Sequence, residues 1–459
     1  MSAWKIVLRW VGGMALAVVV YAAVGLAWAC RHDRSPSGFP MGEYVTPNED
    51  FVTAQIIASA IDLSMGSRDK LIDGKLPLAT DAKTAPGFRA TDYRRDVHAK
   101  SHGCVLASFT VLDKLRDNLA VGIFSKPATY DAIIRFSSGK PELNPDSVPD
   151  ARGFALKVLG VPGQKLLPGE EDAQSQDFIM INSTVFFIRT IDEYLQFSKA
   201  LGQGKAATRA YFFPAMLEPW KSRPREFLLA ISSFKKMPDS MATETYYSLS
   251  AYRLGPRQYV KYSARPCKNN RPMLPSSAKH EQDSFDYLRK ELAIQAEKGE
   301  ACFDLMVQLQ VAGKDMPVED ATVDWSEKDS PFIPVARITF KKQANNTAEM
   351  NQTCENLSFN PWHSLPEHEP VGVMNRVRKA LYQSMGNYRR TKNCQELCTT
   401  ACAKGGPNGE SCTPGCSNAC LAKCPLLNEP PGLALPENMC RAPAVAEENA
   451  ERLSFSSNQ

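Results

Sequence analysis

The chain has 459 residues, 43% hydrophobic and 23% charged, a balance that fits a folded globular protein and excludes a disordered one. The 54 Lys and Arg against 50 Asp and Glu leave a net charge of +4. No basic run interleaved with aromatics occurs, so nucleic acid is not an expected partner.

The chain opens on "KIVLRW", with Lys5 and Arg9, and continues uncharged from Val11 to Ala29. That run approaches the ~20 residues that cross a bilayer core and exceeds the ~7–15 of a signal-peptide apolar region. Residues 1–30 therefore read as an uncleaved transmembrane helix, with a cleaved signal peptide ending at "AWA" as the alternative. The bulk of the chain is then expected outside the cytoplasm, although Arg31 and Arg34 dilute the charge asymmetry that sets orientation. Residues 31–50 are polar and contain Pro and Ser, as a linker would.

A main domain is expected over residues 51–392. Its first stretch, "EDFVTAQIIASAIDLSMGSRD", has helical spacing of apolar residues at Ile56, Ile57, Ala60 and Leu63. "YRRDVHAKSHG" follows, and places His98 in what reads as a short strand. Short apolar runs separated by Gly, Pro and Asp come next: "GCVLASFTVL", "TYDAIIRFSSG", "RGFALKVLGV" and "QDFIMINSTVFFI". "IDEYLQFSKAL" and much of Arg209–Lys236 read as helix. Strand-like runs return in "TYYSLSAYRLG", "QYVKYSARP", "ACFDLMVQLQVAG" and "FIPVARITFKKQ", with an amphipathic helix at "DSFDYLRKELAIQAEKG". Roughly eight strands with helices inserted and appended predict an α+β fold, a closed or nearly closed antiparallel β-barrel.

Most of the 13 cysteines fall in residues 393–425, where Cys394, Cys398 and Cys402, and then Cys412, Cys416, Cys420 and Cys424, are spaced four apart. That spacing puts them on one face of each of two helices, joined by the turn "GGPNGE". Folded antiparallel, this Cys-rich helical hairpin pairs Cys394 with Cys424, Cys398 with Cys420 and Cys402 with Cys416, leaving Cys412 for Cys440 or Cys354. Thiolate ligation of a metal or iron–sulfur cluster is disfavoured, because the segment has no His and no CxxC. A disulfide ladder and an exported location support each other. Residues 426–459 are a tail.

Taken in order, "RDVHAK", "IIRFSSG", "DARGFALKV" and "QDFIMINSTVFFIR" resemble the core of the haem catalases. The resemblance covers residues 43–390; the family's wrapping segment and C-terminal domains have no counterpart. In organisation the chain is most similar to the small bacterial catalase-like haem proteins. The resemblance implies haem b, with Tyr382 as axial iron ligand and Arg378, four residues earlier, hydrogen-bonded to its phenol oxygen. It assigns Arg95, Arg135 and Arg389 to the propionates, and His98, beside Val97 and with Asn182 as distal partner, to the opposite face. Ser137 would orient the imidazole, and Phe154, Phe187 and Tyr194 would wall the haem. His98 would then shuttle a proton between the peroxide oxygens, and Asn182 would donate a hydrogen bond. Val97 leans toward peroxide chemistry, since the related allene oxide synthases carry Thr there. His102, His363 and His368 fit no ligand motif and read as structural or exposed.

The expected activity is haem-dependent peroxidase or catalase-like turnover of hydrogen peroxide or organic hydroperoxides. Its channel should be wider than that of full-size catalases, and its dismutation weak. Two other readings stand beside it: a non-catalytic haem protein for storage, sensing or delivery, and a lipid-hydroperoxide isomerase. His98 and Asn182 retained together favour turnover. The sequence does not identify the reductant or the oligomeric state.

Overall fold

The computed structural model describes residues 19–21, 23–25, 27, 42–72, 85–89, 91–214, 221–275 and 284–403. Helix α1 (Glu49–Ile72) precedes strands β1 (Ser101–Val111), β2 (Thr129–Ser138), β3 (Arg152–Leu159) and β4 (Ser175–Ile181). Helices α2 (Ile191–Gln203), α3 (Lys205–Phe212) and α4 (Pro224–Ser233) follow, then β5 (Tyr246–Tyr247), β6 (Tyr252–Arg253) and β7 (Tyr259–Pro266). The chain continues with α5 (Tyr287–Lys298), β8 (Cys302–Leu309), β9 (Ile333–Phe340), α6 (Ala348–Asn356) and α7 (Val373–Ala403).

The strands run in the order β5-β4-β3-β2-β1-β9-β8-β7-β6, and a further β5–β7 pairing closes the ring. Every described pairing is antiparallel. Eight strands thus form a closed barrel, with β6 attached outside the ring to β7, as the sequence predicts. Strand side chains alternate between two faces. One set, including Ile134, Phe136, Phe154, Leu156, Phe178, Phe303 and Leu305, fills the barrel. Phe136, Phe154, Tyr246 and Phe303 form its aromatic centre, with ring centroids 5.0–6.4 Å apart. Full burial of each such ring is worth about 1.5–3 kcal/mol.

The helices build a second apolar layer. Ile56 and Ala60 of α1, Ile191 of α2, and Val373, Val377, Leu381 and Met385 of α7 form one buried cluster. Thr190 starts α2 with a capping box, its side chain accepting from the Glu193 N–H while the Glu193 side chain accepts from the Thr190 N–H.

The structure departs from the sequence reading at several places. His98 is not in a strand but in the turn before β1. The run "QDFIMINSTVFFI" stays in the sheet only to Ile181, after which the chain leaves for α2. Disulfides join Cys104 of β1 to Cys354 of α6, and Cys267 to Cys302. Cys354 is thereby spoken for and is not the partner of Cys412. Cys394 and Cys398 are disulfide-bonded, but the pairings expected for them lie outside the described residues. Helix α7 runs through the expected boundary at 392 into the first cysteines. Among the described residues no helix is long and apolar enough to cross a membrane. Most of the run from Val11 to Ala29 lies outside those residues.

Candidate functional site

On the outer face of β2, β3 and β4 a row of paired residues runs Ser137–Gly153–Ile181, and the next row runs Arg135–Ala155–Ile179. His98 stands over the first row. Its backbone has φ 57°, the left-handed region that costs a residue with a Cβ about 1–3 kcal/mol. Three contacts hold it there: its N–H donates to Gly139 O at 3.0 Å, its carbonyl accepts from Arg135 Nη2 at 3.0 Å, and its Nδ1 lies 3.0 Å from Ser137 Oγ. Gly153 makes room for the ring, because a Cβ there would lie 2.7 Å from His98 Nδ1 and 2.5 Å from Ser137 Oγ.

Beside this row is a cavity of about 320 Å³, walled on its far side by α1, α2 and α7. Of the residues expected at the site, Arg95, Val97, His98, Arg135 and Ser137 line it from the barrel side. Phe187, Tyr194, Arg378, Tyr382 and Arg389 line it from the helical side. Burial, followed by the charges of Arg135, Arg378 and Arg95, pushes the His98 pKa down to about 3. The imidazole is therefore neutral at any physiological pH, with one ring nitrogen unprotonated.

From α7, Arg378 Nη2 donates to Tyr382 Oη at 3.2 Å. Burial opposes the Arg378 charge, but Tyr382 and Tyr252 hold its pKa above the usual value. Its other guanidinium contacts are neutral: Nη1 lies 3.2 Å from Asn375 Oδ1 and 3.4 Å from Ser250 Oγ. These contacts hold the guanidinium against the Tyr382 oxygen.

Arg95, Arg135 and Arg389 converge at the other end on Glu355 of α6. Arg95 Nη1 is 3.2 Å and Arg135 Nη2 3.5 Å from the Glu355 carboxylate, while Arg389 donates to the Glu355 and Leu357 carbonyls. Burial alone would raise the Glu355 pKa, but Arg135, Arg95, Arg94 and Arg389 bring it down to about 2. Burial and the neighbouring Arg389 push Arg95 down to about 9, and burial with Arg95 does the same to Arg135.

Two expected residues stand elsewhere. Asn182 follows Ile181, so alternation turns it to the opposite face. Its Oδ1 accepts from the Arg152 N–H at 2.7 Å and its Nδ2 donates to Glu244 Oε2 at 2.8 Å, and it does not line the cavity. The wall position beside His98 belongs to Ile181 instead. Phe154 borders the cavity, but its ring packs in the barrel's aromatic centre. His102 and His368 are fully buried and hydrogen-bonded to Ser138 and Tyr262, and His363 sits between Asp177 and Glu170.

Sequence reasoning missed Glu355, Ile181 and Asp96. Asp96 lines the cavity, and burial, against the backbone N–H groups and Arg95, pushes its pKa up to about 6. Only the register of β3 on β4 reveals Ile181, and Glu355 is legible only once α6 is folded against β1.

The family model for catalase matches residues 90–410. "Catalase A" of Pseudomonas putida is 25% identical over 327 residues, 66% of this chain and 63% of its own. A catalase of Ascaris suum is 26% identical over 288 residues, 59% of this chain and 50% of its own. This chain thus covers less than two thirds of the length of these relatives. Among solved structures, a fungal catalase superposes with a TM-score of 0.50 at 19% identity, over 65% of this chain and 60% of that one. Catalase A from Saccharomyces cerevisiae gives 0.51 at 17% identity, over 80% and 69%. These two likenesses concern the fold, while the family match spans well over half of the chain. With barrel, cavity and matched segments in agreement, the chain belongs to the catalase family.

Proposed function

We propose that this protein is a haem-dependent oxidoreductase that cleaves hydrogen peroxide or organic hydroperoxides, with haem b held in the cavity by Tyr382. The observation that carries this reading is a neutral, strained His98 and an arginine-backed Tyr382 on the walls of one cavity. The residues fit the group. Arg95 and Arg135 share the Glu355 carboxylate and Arg389 donates to backbone carbonyls beside it, a cluster of positive charge that suits two propionates, and among the described residues Arg135 Nε is buried with no hydrogen-bond partner. When bound, haem supplies the iron at which a peroxide O–O bond is broken heterolytically.

The chain's own groups do the rest. Tyr382, whose phenol oxygen is hydrogen-bonded by Arg378, would be the ligand to the haem iron. With His98 Nδ1–H donating to Ser137 Oγ, Nε2 is left unprotonated. It takes the proton from one peroxide oxygen and returns it to the other as the bond breaks. Val97, Phe187 and Tyr194 line the cavity and would supply apolar and aromatic contact to the macrocycle. Asn182 takes no part, because its amide is committed to Arg152 and Glu244. Electrons come from an external reductant. The strain at His98 favours turnover over storage, since a haem carrier gains nothing from a histidine held at a cost of about 1–3 kcal/mol.

An extracytoplasmic location, with the Val11–Ala29 run as membrane anchor, is part of the proposal. The Cys104–Cys354 and Cys267–Cys302 disulfides support it, as such bonds persist in oxidising compartments. The test of the chemistry is His98→Ala. Mixed with peroxide, it should keep its haem and lose on the order of 10²–10⁴ in the rate of the Soret change. Equal rates in the variant and the unmodified protein would return His98 to a structural role.

A further inference from the structure

We infer that the site is built for organic hydroperoxides, ROOH with an apolar R group, in preference to hydrogen peroxide, and that Ile181 is a specificity-determining residue. The inference rests on the proposed peroxide chemistry and deepens it. The row beneath His98 contains Ser137, Gly153 and Ile181. Ser137 Oγ is already engaged with His98 Nδ1, Gly153 has no side chain, and Ile181 is apolar. The amide next in sequence, Asn182, faces away with both ends bonded. Ile179, Val185, Phe186, Phe197 and Leu201 continue the apolar wall. Toward solvent it reaches Phe234, which is 39% exposed, beside the outward Leu228 and Ile231 of α4.

This wall treats the two oxidants differently. Hydrogen peroxide is polar over its whole surface and gives up hydrogen bonds to water on entry. Beyond His98 and the iron it would find no replacement on this row, and unmatched polar groups are costly to bury. An apolar R group gains from burial against Ile181 and its neighbours. The reaction balances with two equivalents of a phenolic one-electron donor. The O–O bond of ROOH breaks, R–O leaves as ROH with the proton carried by His98, and the second oxygen leaves as water. Two phenols are oxidised to phenoxyl radicals and give up their two hydrogens.

The experiment compares cumene hydroperoxide with hydrogen peroxide on the haem-loaded protein, with guaiacol as donor, in the unmodified chain, Ile181→Asn and Ile181→Val. Binding of 2-phenyl-2-propanol, the alcohol product, is measured by calorimetry without oxidant. The unmodified chain should favour cumene hydroperoxide at least tenfold in kcat/KM, and Ile181→Asn should shift that ratio about tenfold toward hydrogen peroxide. Ile181→Asn should also bind the alcohol severalfold more weakly, while Ile181→Val, which keeps the wall apolar and removes one methylene, should move both readouts in the same direction by a smaller factor. A preference for hydrogen peroxide in the unmodified chain would overturn the inference and leave the peroxide chemistry standing. So would an unchanged ratio and unchanged alcohol binding in Ile181→Asn with full haem content. Reaction with neither oxidant would overturn both.

Discussion

Gly153→Ala tests whether the position of His98 is what makes the site work. The backbone φ of Gly153 lies outside the left-handed region, so alanine suits the backbone, and leaving a strand glycine is worth about 0.5–1 kcal/mol. The side chain is the difficulty. A Cβ would sit 2.5 Å from Ser137 Oγ and 2.7 Å from His98 Nδ1, where ordinary contact begins at 3.4 Å, so the hydroxyl must rotate away and the ring must retreat by about 0.7 Å. It cannot carry its backbone along, because His98 N–H and C=O are bonded to Gly139 and Arg135. The ring therefore turns off Ser137 and gives up a hydrogen bond worth about 0.5–1.5 kcal/mol. The two stability terms nearly cancel, and Tm should move by only a few degrees. A displacement approaching 1 Å costs on the order of 10² in rate. Stopped-flow mixing with peroxide, together with haem content and thermal melting, separates these effects. Full haem, a near-unchanged Tm and a rate lower by about 10–100-fold are expected. A Gly153→Ala protein reacting as fast as its parent would refute the reasoning.

Two predictions concern stability. Glu355 titrates near 2 when folded, below the ordinary carboxylate value of 4.5, so its contribution is complete above about pH 4.5 and is lost as pH falls toward 2. Glu355→Gln should therefore melt lower than its parent at pH 7, by about 1–2 kcal/mol after screening, with the gap closing below about pH 3. A gap of the same size at pH 3 would show that the arginines do not set it. Removing the Cys104–Cys354 bridge, which closes a sequence separation of 250 residues, should cost about 2–5 kcal/mol in a Cys104→Ser/Cys354→Ser variant. It should also loosen haem retention, because Glu355 follows Cys354 on α6; unchanged melting and haem affinity would argue that α6 docks without its bridge.

Much of this site was legible in the sequence because its parts are local. Short apolar runs bounded by Gly, Pro and Asp marked β1 to β4, strand-like runs marked β7 to β9, and the Arg378–Tyr382 spacing set both side chains on one face of α7. The features that were not legible depend on register and long-range closure. Asn182 and Ile181 are equally plausible beside His98 until β4 is laid on β3 with Ile181 opposite Gly153. A one-residue difference of this kind decides which face a side chain takes. The left-handed turn at His98 has no local signature such as Gly or Asn, and is held by contacts from β2 and Gly139. The Glu355 contacts join residues 220 or more positions apart to Arg95 and Arg135, beyond the reach of any spacing argument.

The central claim is that Tyr382 holds haem in this cavity, and its most direct test is the visible spectrum and haem content of the purified protein beside Tyr382→Phe. One haem per chain is expected, with the absorption of ferric haem bound to a tyrosinate, and the variant should lose the haem or that signature. Equal haem occupancy with an identical spectrum in Tyr382→Phe would contradict the account.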